Sequence, residues 1–173
     1  MMTNRDECLR TLREKIKDHH VAMLVTRSLD GKRLLSRPLG TAEVEFDGDL
    51  WFASGRDSEK VREVQADPAV NVTFASEAKN SYVSLSGRAS IITDRAKIEE
   101  LWSPLMKPYF PAGKDDPNLC LIHVEVETAE YWDSPGGLLG SALHFAVAGV
   151  TGDAAALSEN ERVLVKRVGG GNE

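Results

Sequence analysis

Apolar residues recur at helical spacing near the N-terminus, where Leu9, Leu12 and Ile16 follow Asn4 and Glu7. An Asn with a Glu three residues on is a capping pair, so the spacing predicts a helix ending near His19-His20. The pattern then changes. Residues 21–26 form an apolar, partly β-branched run, which predicts a strand. Asp30-Gly31 marks a turn. Residues 34–39 predict a second strand, with Pro38 at an edge or strand end. Glu43-Val44-Glu45-Phe46 alternates with period two. Asp47-Gly48 and then Asp49-Leu50-Trp51-Phe52 follow, which predicts a hairpin closed by a two-residue turn.

Asp57 or Ser58 can cap a short helix with Val61 and Val64 on one face, and Asp67-Pro68 ends it. Residues 70–75 read as a strand. Residues 82–93 read as a long one, with Val83, Leu85, Ala89 and Ile91 on one side and Tyr82, Ser84, Ser86 and Arg88 on the other. Gly87 at its middle suggests a bulge or sharp bend. Asp94 caps a helix carrying Ile98, Leu101 and Trp102. A Pro/Gly-rich loop spans 104–117. Residues 119–126 and 129–133 read as two strands, and 138–148 as a helix. Ser158 with Glu161 is a weak cap, and residues 162–166 fit a last strand equally well. Six to eight hairpin-linked strands with three or four short helices argue for an antiparallel barrel, not a doubly wound sheet.

A length of 173 residues suits one domain spanning 1–173. The net charge of -6, with basic residues scattered, sets a low prior for nucleic-acid or anionic-membrane partners. Cys8 and Cys120 form no metal or redox motif, and reduced thiols fit best. The first residues lack the apolar stretch of a signal peptide, and no run is long enough to span a membrane. The expectation is a cytoplasmic protein.

The candidate chemistry is a phosphate site. A helix start offers free N–H groups and a positive dipole end. Ser58 begins such a helix, Lys60 lies in its first turn, and Ser54 ends the preceding strand. Arg37 arrives from a neighbouring strand and is suited to bidentate phosphate contacts. The same residues also fit a plain cap with solvated cations, since Asp57 and Glu59 offset the field. Phe52, Tyr82 and Trp132 could wall a flat ring; each also fits ordinary core packing. The four histidines show no ligand spacing, so no metal is expected. Nucleophile elbow, P-loop and Gly-rich dinucleotide motifs are missing.

These segments together resemble the general-stress-protein branch of the pyridoxamine 5'-phosphate oxidase-like flavoproteins. The matching pieces are Asp30-Gly31, Ser36-Arg37-Pro38-Leu39, Gly48-Asp49-Leu50-Trp51-Phe52 and Ser58-x-Lys60. Tyr82-Val83-Ser84-Leu85-Ser86-Gly87, Asp94 and Leu101-Trp102-Ser103-Pro104 continue the series. Tyr109-Phe110-Pro111-x-Gly113-Lys114-Asp115-Asp116-Pro117 and Glu130-Tyr131-Trp132-Asp133-Ser134-Pro135 close it. No single piece is specific; the ordered series is.

The resemblance implies a mostly β, six-stranded antiparallel split β-barrel, with a core of about 20–135 and an extension over 136–173. It implies a homodimer with flavin sites at the interface. FMN is the cofactor implied, with FAD the alternative. Arg37 and Lys60 would bind the flavin phosphate with help from Ser58. Ser54 and the backbone of Pro38 and Leu39 would line the flavin, Phe52 and Ala53 would flank it, and Tyr82 would lie near its ring. Trp132 would come from the partner subunit. The oxidase proper carries an Arg-x-His-x-Arg element soon after the equivalent of Trp132. Residues 133–143 here contain no arginine, and His144 stands alone. Oxidation of pyridoxamine phosphate is therefore not expected, because a substrate dianion would lack a partner. A flavin-dependent oxidoreductase acting on an unidentified small molecule is the leading expectation. A non-catalytic flavin-binding or sensing protein is the second, and a split barrel using deazaflavin or haem the third. No catalytic residue is named.

Overall fold

A computed structural model describes residues 4–42, 45–133 and 159–164. The elements, in chain order, are α1 (Asn4–Ile16), β1 (Val21–Arg27), β2 (Leu34–Gly40), β3 (Asp49–Gly55), α2 (Glu59–Ala66), β4 (Ala69–Ser76), β5 (Ser81–Ile92), α3 (Arg95–Leu101), β6 (Leu119–Asp133) and β7 (Glu159–Leu164). Two 3-10 turns, Pro104–Met106 and Gly113–Asp115, lie between α3 and β6. The strands form one antiparallel sheet in the order β2-β1-β4-β5-β6-β3, with β7 added against β6. The sheet curls until its edges β2 and β3 meet at one end. There Thr41 bridges Phe52, and the Ala42 N–H donates to the Trp51 carbonyl at 2.9 Å. This is the antiparallel barrel expected from the strand pattern, in the split form that the resemblance implies.

Strand alternation sets the core. On β5, Val83, Leu85 and Ala89 are buried while Tyr82, Ser86 and Arg88 are exposed. Leu24, Phe52, Val72, Leu85, Ile122 and Val124 fill the barrel, and Leu9, Leu12 and Ile16 of α1 plug it. A second cluster of Ile98, Leu101, Phe110, Leu119 and Leu121 packs outside β3 and β6 with α3 and the 3-10 turns. The α3 cap is as expected: the Lys97 N–H donates to Asp94 Oδ1 at 2.9 Å.

Two expectations change. Residues 119–126 and 129–133 are one 15-residue strand, β6. The register jumps from Ser86↔Thr128 to Gly87↔Val126, which leaves Glu127 as the extra residue of a bulge. Gly87 faces this bulge because nothing larger fits: a Cβ there would lie 2.1 Å from the Glu125 carbonyl oxygen. Beyond the bulge, β6 gives the edge that first held β3 over to β7.

The Asp47-Gly48 hairpin also differs. A two-residue turn would put Phe52 opposite residue 43, but Phe52 faces Thr41. The type I′ turn needs positive φ at both central residues. Gly48 has it, at 118°, and Asp47 does not. The Phe46 carbonyl is instead taken by Arg13 Nε at 3.0 Å, and the Phe46 side chain is buried. Tertiary contacts have overridden a local turn signal. At the C-terminal end, β7 settles the choice between cap and strand in favour of strand, while the helix expected over 138–148 lies outside the described residues.

Gly87→Ala is expected to lower unfolding free energy by about 1–3 kcal/mol, the range for inserting atoms into a packed site. Urea denaturation would measure this, and an unchanged midpoint would show that the bulge can open at no cost.

Candidate functional site

Where β2 and β3 part, they leave a cleft of about 550 Å³. Pro38, Leu39 and Gly40 form one wall, and Ala53, Ser54 and Gly55 another. Lys60 enters from α2, and Leu105, Met106, Tyr109 and Phe110 close the apolar end, with His20 and Asn118 at the margin. The volume suits a small-molecule ligand, and the lining mixes an apolar part with a few polar groups.

The polar end is built by β3 running directly into α2. Ser58 is the N-cap, but its hydroxyl does not cap the helix. It lies instead 3.2 Å from Ser54 Oγ. The backbone N–H groups of Glu59 and Lys60 find no acceptor among the described residues. They are free donors at the positive end of the helix dipole. The Lys60 ammonium is pushed below the ordinary lysine range, first by burial and then by the charge of nearby Arg37. Two cations held near one another and partly out of water favour an anion between them. Cys120 stands behind this wall and donates from Sγ to the Ser54 carbonyl at 3.3 Å. Burial raises its thiol pKa, so it supports the strand as an unreactive thiol.

Arg37 reaches this region from behind the wall. Its side chain points toward the barrel interior, where Nη1 donates to Glu63 Oε2 at 2.5 Å and to Thr26 Oγ1 at 3.2 Å. Thr26 Oγ1 in turn donates to Glu63 Oε2 at 2.7 Å. Glu63 is fully buried, the one carboxylate among the buried residues described. Burial alone would raise its pKa. Hydrogen bonds from Arg37 and Thr26, with the charges of Arg37 and Arg62, outweigh that and hold the carboxyl below its usual range.

The structure thus gathers Pro38, Leu39, Ala53, Ser54, Ser58 and Lys60 at one cleft, with Arg37 adjoining. It separates three other candidates from it. The Phe52 side chain is wholly buried in the barrel core. Alternation along β3 forces this, because Leu50, Phe52 and Ser54 share the inward face. Only its backbone can take part in a site. Tyr82 and Trp132 face each other across β5 and β6, away from the sheet edges that bound the cleft. Neither lines the cleft of its own chain.

Glu63, Thr26, His20, Asn118 and the 105–110 segment were not legible as site residues. For Glu63 the available signal was its spacing of three from Lys60, which puts both on one helical face. No group of three His, Cys, Asp or Glu able to hold a metal occurs among the described residues. No helix there is long and apolar enough to cross a membrane.

A curled antiparallel sheet with a lysine-bearing cleft between its edge strands defines the split-barrel class of fold. The chain belongs to the pyridoxamine 5'-phosphate oxidase like family, whose model matches residues 7–156. It is 27% identical over 172 residues to protein bli-3 of Neurospora crassa, a match covering 94% of this chain and 82% of that protein. Among solved structures it is similar to the general stress FMN/FAD binding protein of Xanthomonas citri. That match has 27% identity and a TM-score of 0.65, and it covers 76% of this chain and 92% of the other. General stress protein 26 of Bacillus anthracis str. Sterne shares the fold at 23% identity and a TM-score of 0.64, over 72% of this chain and 93% of that one.

Proposed function

We propose that this protein binds FMN in the β2–β3 cleft and works as a flavin-dependent oxidoreductase on a small molecule, as a cytoplasmic homodimer. The observation that carries the reading is the open start of α2. Free N–H groups, the Ser54 and Ser58 hydroxyls and Lys60 belong to this one helix start, with the charge of Arg37 felt at Lys60. That donor set fits a phosphate monoester. The apolar stretch from Leu39 to Tyr109 suits a flat ring. A bound flavin would supply the redox chemistry. The chain's own part is to neutralise the phosphate, align the ring along the backbone of Pro38 and Leu39, and keep water from one face. Tyr82 and Trp132 contribute only if a second copy brings them to the cleft, which is why the reading includes a dimer.

A second reading, a flavin-binding or sensing protein without turnover, is favoured by one feature. Among the described residues Lys60 is the only lysine or arginine lining the cleft, and the phosphate would occupy it, leaving none of them for an acidic substrate.

The test is titration of the apoprotein with FMN, FAD and riboflavin, followed by absorbance spectra and by reduction with a nicotinamide donor. FMN preferred over riboflavin supports the phosphate site, and equal affinities overturn it. Reduction with turnover selects the enzyme, and binding without turnover selects the second reading. Light scattering that gives a monomer would remove the dimer.

Lys60 also makes FMN binding pH-dependent. Its pKa is lowered, so the ammonium is lost as pH rises through a value below that of a free lysine. FMN affinity is expected to fall over that alkaline window. The stability of the free protein moves the other way, because the unfolded chain holds the Lys60 proton more tightly. Lys60→Arg keeps its charge there and should remove the fall. FMN titrations from neutral pH upward would check both.

A further inference from the structure

Among the described residues, Arg37 uses one nitrogen and leaves the others unused. Nη1 serves both Glu63 Oε2 and Thr26 Oγ1. Nε and Nη2 have no acceptor among the described residues. Those two lie along one edge of the guanidinium and form the fork that meets a phosphate with two parallel hydrogen bonds. We propose that Glu63, with Thr26, is a clamp that seizes the Nη1 corner of Arg37 and so presents its Nε–Nη2 edge to the flavin phosphate. Glu63 is thus a positioning residue for a phosphate-bearing ligand, and this inference rests on the cleft reading above.

Three elements meet in the clamp: Thr26 from β1, Arg37 from β2 and Glu63 from α2. The same helix carries Lys60 one turn earlier. The clamp therefore ties the guanidinium to the helix whose N-terminus holds the other phosphate donors. A free arginine would lose rotamer freedom on binding; a clamped one has lost it on folding. Glu63 Oε1 has no hydrogen-bond partner among the described residues, so Oε2 alone carries the contacts to Arg37 and Thr26.

Charge and positioning predict opposite signs. By charge alone, removing Glu63 would strengthen the positive field and tighten an anion. By positioning, its removal frees Arg37 and weakens FMN. The experiment is titration of the apoprotein forms of Glu63→Ala, Glu63→Gln, Thr26→Val and Arg37→Ala with FMN and with riboflavin, which lacks the phosphate. Glu63→Ala is expected to weaken FMN about tenfold or more while leaving riboflavin unchanged. Glu63→Gln should fall between Glu63→Ala and wild type, because its amide oxygen still accepts from Arg37 and Thr26. Thr26→Val should show a smaller loss of the same kind. In the Arg37→Ala background, Glu63→Ala should add no further loss of FMN.

Tighter FMN in Glu63→Ala, or equal losses of FMN and riboflavin across the Glu63 variants, overturns the clamp. If Arg37→Ala loses FMN and no Glu63 variant does, the clamp falls and the cleft reading stands. If Arg37→Ala leaves FMN unchanged, the cleft reading falls and takes the clamp with it. Thr26→Val and Glu63→Gln change least in shape, so they carry the test should Glu63→Ala fail to fold.

Discussion

Arg37→Ala is expected to destabilise the free protein by about 3–5 kcal/mol, the cost of removing one partner from a buried ion pair. Glu63 is fully buried, and Arg37 is its only cationic partner by direct contact among the described residues. The deficit should depend on pH with a definite sign. In the native protein the Glu63 carboxyl sits below its usual range. Its contribution is therefore present above the unfolded pKa and is lost as pH falls through the folded one. Without Arg37, burial dominates and the carboxyl moves above its usual range. The variant then recovers stability, relative to wild type, as pH falls and Glu63 takes up a proton. Urea melts of the two proteins at a series of pH values would show the gap narrowing toward acid. A constant gap would mean that Glu63 is not the group left stranded. FMN affinity should fall about tenfold or more as well, for the loss of a charge-assisted contact.

Phe52→Ala should cost about 3–5 kcal/mol, as for other large aromatic truncations in a core. The ring is entirely enclosed, among the neighbours that fill the barrel. Its loss opens a cavity between β3 and the strands opposite, which close packing cannot readily collapse. The affinity of the folded fraction for FMN is expected to hold, because the side chain does not border the cleft. Urea unfolding measures the first effect and FMN titration the second. Lost flavin with unchanged stability would return the ring to the cleft wall, where the resemblance had put it.

These two residues show how far the sequence could be read. Local rules worked where one element decides the outcome. Val83, Leu85 and Ala89 alternate into the core as period two requires. Asp94 caps α3. Gly87 marks the bulge because only a residue without a Cβ can sit that near to Glu125. Ser54, Ser58 and Lys60 were legible as a group because β3 runs straight into α2, so a few bonds set their relative positions. The failures lie where distant chain segments compete. Asp47-Gly48 signals a tight hairpin, yet Arg13, 33 residues away, takes the Phe46 carbonyl. Nothing in the sequence marks Glu63 as buried; its burial comes only from β1 and β2 closing over it. Alternation puts Trp51 and Phe52 on opposite faces of β3 but does not say which face is the inner one.

From its residues alone, the chain determined the run of short strands, the turn into α2 and the phosphate-like donor set at that turn. Each depends on atoms within a few residues of one another, where covalent geometry leaves little choice. Closure of the barrel decided the rest: that Phe52 is core, that Arg37 faces Glu63 before it faces any ligand, and that the cleft lies between β2 and β3. Those outcomes depend on which strands become the sheet's edges, and that is settled by long-range packing of apolar faces, to which spacing along the chain is blind.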